Sequence, residues 1–397
     1  MQTGDRQLIK ELNVTAVITS IREHEPISRV DIARLTGLSK ATVTTITQML
    51  LRAGLILETG SGDSRGGRRP TLLRLNPTAR LAVGVKIAPA SITAALTSLQ
   101  GQILERTSVD LPEEPPAIVE AVEASVRDVV RRAGFTLSPT RLLGVGVGLP
   151  GIVDPNTGSS ISSYFLRWQD VPIKQLLETR LGLPVYPEND ANCFALGEYW
   201  YGAGRGASSL LAMTVGVGIG AGLILDGHIF RGSLYGAGEV GHIIVQRDGP
   251  LCACGRFGCL EALAADAAMV QRARQLKADW RAYQGGRPEV VAAAQAGDAA
   301  ARQALAEAGE WVGLGLANLV NTVSSDFIVV GGEAVSQAGE MLLQPIRAAL
   351  QRYVFSPLAG RVRVEAARLG DEVWLIGATV LALQRFFHAP LETTVAR

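Results

Sequence analysis

At 397 residues the chain is long enough for two or three domains. Hydrophobic residues make up 47% and charged residues 19%, which excludes a disordered polyelectrolyte and leaves ample material for cores. The net charge of +1 hides an asymmetry, because residues 1–80 hold 12 Lys+Arg against 7 Asp+Glu and the remainder 26 against 30, so nucleic acid is expected at the N-terminal end.

Residues Asn13–His24 place Val14, Val17, Ile18 and Ile21 on one helical face, and Pro26 ends that helix. Ser28 and Asp31 read as a capping box for a second helix with Ile32 and Leu35 inward. Thr36-Gly37-Leu38 is a tight turn. Ser39 then caps a third helix, Lys40 to about Arg52, with Val43, Ile46 and Leu50 inward. Two short helices joined by a glycine turn make a helix-turn-helix. Ser39, Lys40, Thr42, Thr44, Thr45 and Gln48 are polar and mostly outward, the chemistry of a recognition helix in a major groove. Strands at Leu55–Glu58 and Thr71–Leu75 flank a glycine-rich wing carrying Arg65, Arg68 and Arg69, suited to phosphates or a minor groove. Asn76-Pro77 reads as a linker, so residues 1–78 form a winged helix-turn-helix domain.

From Leu81 the pattern becomes α/β. Strands are expected at Leu81–Ile87, Ser91–Leu99, Ile103–Val109, Leu142–Leu149 and Val185–Tyr186, with helices at Ala117–Ala133, 174–181 and Cys193–Trp200. Gly148-Leu149-Pro150-Gly151 and Glu188-Asn189-Asp190-Ala191-Asn192 both follow strands, at the sheet edge where ligands sit in open α/β folds. Residues 79–200 form a first lobe. A second, 201–379, opens with strands Leu210–Val215 and Gly220–Leu225 around a glycine loop. Helices are expected over Glu261–Tyr283, Val290–Ala308 and Trp311–Val323, and strands at Phe327–Val330 and Val362–Ala366. The C-terminal helix, 380–397 with its periodic part over Gly377–Phe387, is expected to return to the first lobe.

Three of the four cysteines, Cys252, Cys254 and Cys259, fall within eight residues, ten residues after His242. Three thiolates and an imidazole are a closed tetrahedral set for structural Zn2+, with no open position for catalysis. Clustered cysteines of this type, with no signal sequence and no clean apolar run of membrane length, point to a reducing cytoplasm and no membrane partner.

The pattern Gly241-His242, then Cys252-x-Cys254-Gly255-x-x-Gly258-Cys259-x-Glu261, resembles the signature of the ROK family of repressors, open reading frames and sugar kinases. The resemblance spans nearly the whole chain. It implies a two-lobed actin-like, ribonuclease H-like body behind the winged helix-turn-helix. It also implies a sugar site at Asn189, Asp190, Glu239, His242 and Glu261, with Asp190 in the place of the kinases' general base. Asn189 reads equally as a helix N-cap. The family's kinases resemble Val-Asp-Ile-Gly-Gly-Thr-Lys where this chain has Val85-Lys86-Ile87-Ala88-Pro89-Ala90-Ser91, and Val217 stands where a threonine is usual. The first phosphate loop has thus lost its acid, both glycines and its hydroxyl. The expected protein is a sugar-responsive repressor with a catalytically inactive body. It would bind operator DNA as a homodimer or a dimer of dimers, because two-fold-related modules match a palindromic site. Two other readings use the same residues: an active sugar kinase with an appended DNA module, and a repressor controlled by a protein partner such as a sugar-transport component.

Overall fold

A computed structural model describes residues 3–61, 69–277 and 285–388. The N-terminal module consists of α1 (Thr3–His24), β1 (Ile27–Ser28), α2 (Arg29–Thr36), α3 (Lys40–Arg52), β2 (Ile56–Ser61) and β3 (Thr71–Leu75). Ser28 caps α2 by accepting from the Asp31 N–H (3.2 Å), and Gly37 ends it in the left-handed region (φ 70°). The sheet order is β1-β3-β2, so the two-residue strand at Ile27, absent from the sequence reading, completes a three-stranded wing sheet. Helix α1 begins ten residues earlier than its periodicity suggested. Leu8, Ile9 and Leu12 face solvent there, whereas Val14, Val17, Ile18 and Ile21 form the buried stripe that the periodicity marked.

The first lobe contains β4 (Leu81–Ile87), β5 (Ser91–Ser98), β6 (Ile103–Asp110), α4 (Pro115–Arg132), β7 (Leu142–Leu149), β8 (Ile152–Asp154), β9 (Ser159–Ser163), β10 (Trp168–Val171), α5 (Ile173–Leu181), β11 (Val185–Asn189) and α6 (Asp190–Tyr201). Its main sheet runs β11-β7-β4-β5-β6, antiparallel through β4, β5 and β6 and parallel through β4, β7 and β11. The small antiparallel sheet β8–β10 is too rich in serine to have shown an apolar alternation.

The second lobe repeats the arrangement with β12 (Ser209–Val215), β13 (Ile219–Leu225), β14 (His228–Ile229), α7 (Leu260–Ala264), α8 (Asp266–Leu276), α9 (Arg287–Gln295), α10 (Ala299–Val323), β15 (Phe327–Gly331), α11 (Glu333–Ala338), α12 (Glu340–Tyr353), β16 (Arg363–Ala366) and α13 (Val373–His388). The sheet order is β14-β13-β12-β15-β16. The break between α9 and α10 falls at Gly297, with Asp298 capping α10 through the Ala301 N–H (2.9 Å), rather than near Gly309 as the periodicity implied. Gly309 and Gly313 stay inside the helix because α12 crosses too closely there for a side chain.

Two helices are exchanged between the lobes. Helix α6 follows the first-lobe strand β11 but covers the second-lobe sheet, where Phe194 and Ala195 pack with Leu210, Ala212 and Ile224. Helix α13 follows second-lobe elements but lies on the first-lobe sheet, its backbone seated on Gly84 and Gly146. The expected linker is instead a hydrogen-bonded turn. The Asn76 amide donates to the Gly54 carbonyl (2.8 Å) and the Leu99 N–H to the Pro77 carbonyl (3.0 Å). The winged-domain core continues without a gap into Ala82, Leu99, Leu383, Phe386 and Phe387.

Candidate functional site

A cleft of ≈ 240 Å³ lies between the lobes, beyond the C-terminal ends of β4, β7 and β11 and against the start of β13. All five residues expected to meet a sugar, Asn189, Asp190, Glu239, His242 and Glu261, line it. They arrive from separate elements: the N-terminus of α6, a 3-10 turn at Val240–His242, and α7.

The geometry divides them into two roles. Asn189 caps α6, its side-chain oxygen accepting from the Asn192 N–H (3.1 Å) while its amide donates to the Gly151 carbonyl (3.0 Å). One amide hydrogen remains for a ligand. Asp190 accepts from the Ala191 N–H (2.9 Å). Burial raises its carboxyl above the usual range, opposed by that hydrogen bond and by Lys86. Glu239 is also raised, first by desolvation, with His242 opposing. Glu261 is held in place by accepting from the Ile219 N–H (3.0 Å) at the start of β13.

Beneath Asn189 lies an ion pair that the sequence reading missed. Glu188, 3% exposed, accepts from Arg231 Nε (2.7 Å) and Nη2 (2.6 Å), from the Asn189 N–H (2.8 Å) and from the Asn192 amide (2.9 Å). Arg231 belongs to the second lobe, so this charge-assisted bond fastens the two lobes directly under the site. Tyr164 and Phe165, from the loop between β9 and β10, add an aromatic edge at the mouth; no periodicity marked them.

His242, Cys252, Cys254 and Cys259 converge with all four ligand atoms within 4.8 Å of one another. The Cys254–Cys259 sulfurs are 3.6 Å apart and Cys252 Sγ is 3.7 Å from His242 Nδ1. Zinc–sulfur bonds of ~2.3 Å give tetrahedral edges of about 3.8 Å, so the donor set fits this ion. Burial pushes the Cys259 thiol up to about 12, with its neighbouring sulfurs adding to the effect, and burial raises Cys252 as well. Three thiolates are compatible in this space only with a cation among them. Nδ1 of His242 faces the sulfurs, whereas Nε2 faces the cleft, 4.0 Å from Glu239 Oε2.

Lys86, Ala88 and Pro89, from the end of β4 and the turn that follows it, also line the cleft. The Lys86 ammonium is engaged: it lies 3.5 Å from the centroid of the Trp374 ring and 3.7 Å from Glu333 Oε1. The glycine loop between β12 and β13 faces the same carboxylate, and a Cβ on Gly216 would meet Glu333 Oε2 at 2.4 Å.

In the winged module, Ser39 caps α3 by accepting from the Thr42 N–H (3.1 Å), and its hydroxyl also meets that of Thr42 (2.8 Å). Lys40, Thr44, Thr45 and Gln48 are exposed on one side of α3, opposite the buried Val43, Ile46 and Leu50. The Thr44 and Thr45 hydroxyls donate back to the Lys40 and Ala41 carbonyls (2.8 and 3.1 Å), which leaves their oxygen lone pairs as acceptors on the exposed face. Arg69 is exposed; Arg65 and Arg68 lie outside the described residues.

The ROK family model matches residues 82–385, and the MarR family model residues 12–65. The xylose repressor of Caldicellulosiruptor bescii is 31% identical over 398 residues, covering 98% of this chain and 99% of its own. A crystal structure of a ROK family transcriptional regulator, a homolog of the E. coli MLC protein, superposes with a TM-score of 0.83 at 25% identity over 98% of this chain and 99% of that one. A ROK family glucokinase from Streptomyces griseus, solved with glucose and AMPPNP, superposes with a TM-score of 0.68 at 34% identity over 77% of this chain and 99% of its own. A two-lobed body with a Cys3His loop at its cleft, a winged helix in front of it and these matches across its length together place this chain in the ROK family.

Proposed function

We propose that the protein is a sugar-responsive transcriptional regulator, a repressor of carbohydrate uptake or catabolism genes, whose kinase-like body senses sugar without phosphorylating it. The single observation that carries the second half of this reading is Lys86. Its ammonium stands where the kinases' metal–nucleotide acid would be and is already paired with Glu333 and Trp374. Pro89 offers no N–H and Ala88 adds a methyl where phosphate would approach the backbone. Phosphoryl transfer depends chiefly on positioning and charge stabilisation, so a surviving carboxylate at Asp190 is not sufficient for it.

Within the cleft, Asp190 and Glu239 accept from sugar hydroxyls, and the remaining Asn189 amide hydrogen donates. His242 presents Nε2 to the same ligand while Nδ1 serves the metal centre. Zinc, when bound by His242, Cys252, Cys254 and Cys259, supplies a fixed tetrahedral anchor for the loop. Glu261 ties that loop to β13. The α3 face of Lys40, Thr42, Thr44, Thr45 and Gln48 reads base edges, and Arg65, Arg68 and Arg69 of the wing follow phosphates, in a homodimer on a two-fold operator. No helix among the described residues is long and apolar enough to cross a membrane.

The test combines two assays on the full chain. A melting-temperature screen of hexoses and pentoses identifies the effector, since a ligand bound only by the folded state raises stability. A coupled assay with ATP and magnesium then follows ADP release with that sugar. The expected result is a thermal shift without turnover. Sugar-dependent ADP release that is abolished by Asp190→Asn would replace this reading with an active kinase bearing a DNA module.

A further inference from the structure

The exchanged helices run between the proposed sugar cleft and the DNA-binding domain. Helix α6 begins at Asp190 in the cleft, and α13 has Trp374, one residue from its start, under the Lys86 ammonium in the same cleft. The two are packed backbone to backbone. A Cβ on Gly377 would meet the Cys193 carbonyl oxygen at 1.7 Å, and one on Gly197 would meet the Val373 carbonyl oxygen at 2.5 Å. About 15–20 Å further along, at 1.5 Å per residue, α6 ends in Trp200 and Tyr201 and α13 in Phe386 and Phe387. The Trp200 and Phe387 ring centroids are 5.8 Å apart.

Both rings meet one side chain of the winged domain. The Arg22 guanidinium, in the last turn of α1, lies 3.8 Å from the Trp200 centroid and 5.3 Å from that of Phe387. Next to it, the end of α1 is held by both lobes. Glu25 accepts from the first-lobe Gln100 amide (2.6 Å) and from the Leu75 N–H of the wing sheet (2.6 Å). The Arg205 guanidinium of the second lobe donates to the Glu23 carbonyl (3.3 Å). A relative rotation of the lobes cannot leave both ties and the two-ring seat of Arg22 unchanged. A cavity of ≈ 770 Å³ lined by Arg22, Glu23, Gln100, Arg205 and His228 leaves room there for an alternative arrangement.

We propose that Arg22 is the positioning residue through which the α6–α13 pair transmits cleft occupancy to the winged helix-turn-helix. The inference rests on the sugar-responsive reading above. Ligand at the N-terminus of α6 biases the lobes. The close-packed helices carry that bias to the aperture between Trp200 and Phe387, and Arg22 turns α1 with it. Packed interfaces of this kind switch between discrete arrangements rather than deform continuously, which suits a two-state signal.

The experiment uses the full chain and an operator duplex selected from a randomised library by the unmodified protein. The sugar probe is whichever of D-xylose, D-glucose or N-acetyl-D-glucosamine raises the melting temperature of the unmodified protein most. Fluorescence anisotropy gives operator Kd with and without saturating sugar, and their ratio is the coupling factor, typically about 5–150-fold for allosteric proteins. Arg22→Met keeps the aliphatic stem and removes the cation. It is expected to bring the ratio within about 2-fold of unity while sugar affinity and sugar-free operator affinity each stay within about 3-fold of the unmodified protein. Arg22→Lys, which keeps a cation over the rings, is expected to retain an intermediate ratio. If Arg22→Met loses its fold, Trp200→Leu is judged by the same criterion. An unchanged ratio in the folded variant overturns the role of Arg22 alone, with the sugar-responsive reading intact. A ratio of one in the unmodified protein overturns that reading and the inference with it.

Discussion

Gly377→Ala tests the helix contact at the centre of the molecule. The added methyl would sit 1.7 Å from the Cys193 carbonyl oxygen and 2.9 Å from the Gly197 nitrogen, where ordinary contact is 3.4–4 Å. Relief requires α6 and α13 to part by roughly 2 Å in a core with no spare volume. Helix α13 has nowhere to retreat, because Gly84 and Gly146 already bring the first-lobe sheet against the Leu375 and Ala378 carbonyls. Helix α6 is similarly seated, with Gly222 of β13 against Ala195. Overpacking of this kind costs about 1–3 kcal/mol and more where only backbone can move. Alanine returns roughly 0.8–1.0 kcal/mol of helix propensity over glycine. The net expectation is a loss of about 2 kcal/mol, which is roughly 3 °C in melting temperature for a two-lobed body of this size at ~2.1 cal/mol/K of unfolding entropy per residue. Differential scanning calorimetry of the two proteins measures it. A variant that melts at the same temperature or higher would show that propensity alone operates, and would refute the close packing of α6 on α13.

Asp190→Asn separates sugar sensing from stability. Burial raises the folded pKa of Asp190 above its ordinary 3.8, so the fold favours the neutral acid. That contribution to stability is fully present below the unfolded value and is lost as pH rises through the folded value, above which the fold holds a desolvated charge. Asparagine keeps an acceptor for the Ala191 N–H without that charge. The variant should therefore melt no lower at pH 7, with its advantage shrinking on acidification, while sugar affinity falls at least about 10-fold; a lower melting temperature at pH 7 with sugar affinity intact would contradict both parts. The purified protein should carry close to one zinc per chain by metal analysis, and the double variant Cys254→Ser, Cys259→Ser should lose it together with much of the sugar-induced thermal shift; retained zinc would refute the ligand set. Replacing Arg68 and Arg69 by alanine should lower the slope of log affinity against log salt by about 1–2, at ~0.9 per phosphate contact. Gln48→Ala should instead change which operator is selected, and an unaltered selection would remove Gln48 from the base-reading set.

Much of the site was legible because its chemistry is local in sequence. Three cysteines within eight residues, a histidine ten residues before them and an Asn-Asp pair after a strand are short-range patterns that survive without coordinates. The winged domain was legible for a related reason: caps at Ser28 and Ser39, a left-handed glycine at Gly37 and an apolar stripe on α3 are each decided within one or two turns of helix. Where the periodicity misled, packing had overridden it. Gly309 looks like a break between helices but serves the crossing of α12, and the turn of α1 that carries Leu8, Ile9 and Leu12 is helical without a core to face.

By itself, then, the sequence determined the order of domains, the close-spaced Cys3His cluster and the Lys86, Ala88 and Pro89 that line one end of the cleft, since each depends on residue type at close spacing. Only the tertiary structure decided which distant residues meet. Glu188 reaches across 43 positions to Arg231, Lys86 finds Trp374 and Glu333 on the other side of the chain's length, and Arg22 is stacked on Trp200 and Phe387. None of these pairs has a spacing that predicts it. Trp374, Trp200 and Phe387 reach their partners because α6 and α13 each cross to the opposite lobe, while Glu188–Arg231 and Lys86–Glu333 join elements of opposite lobes directly, and both arrangements are dictated by the burial of whole sheets rather than by any local preference.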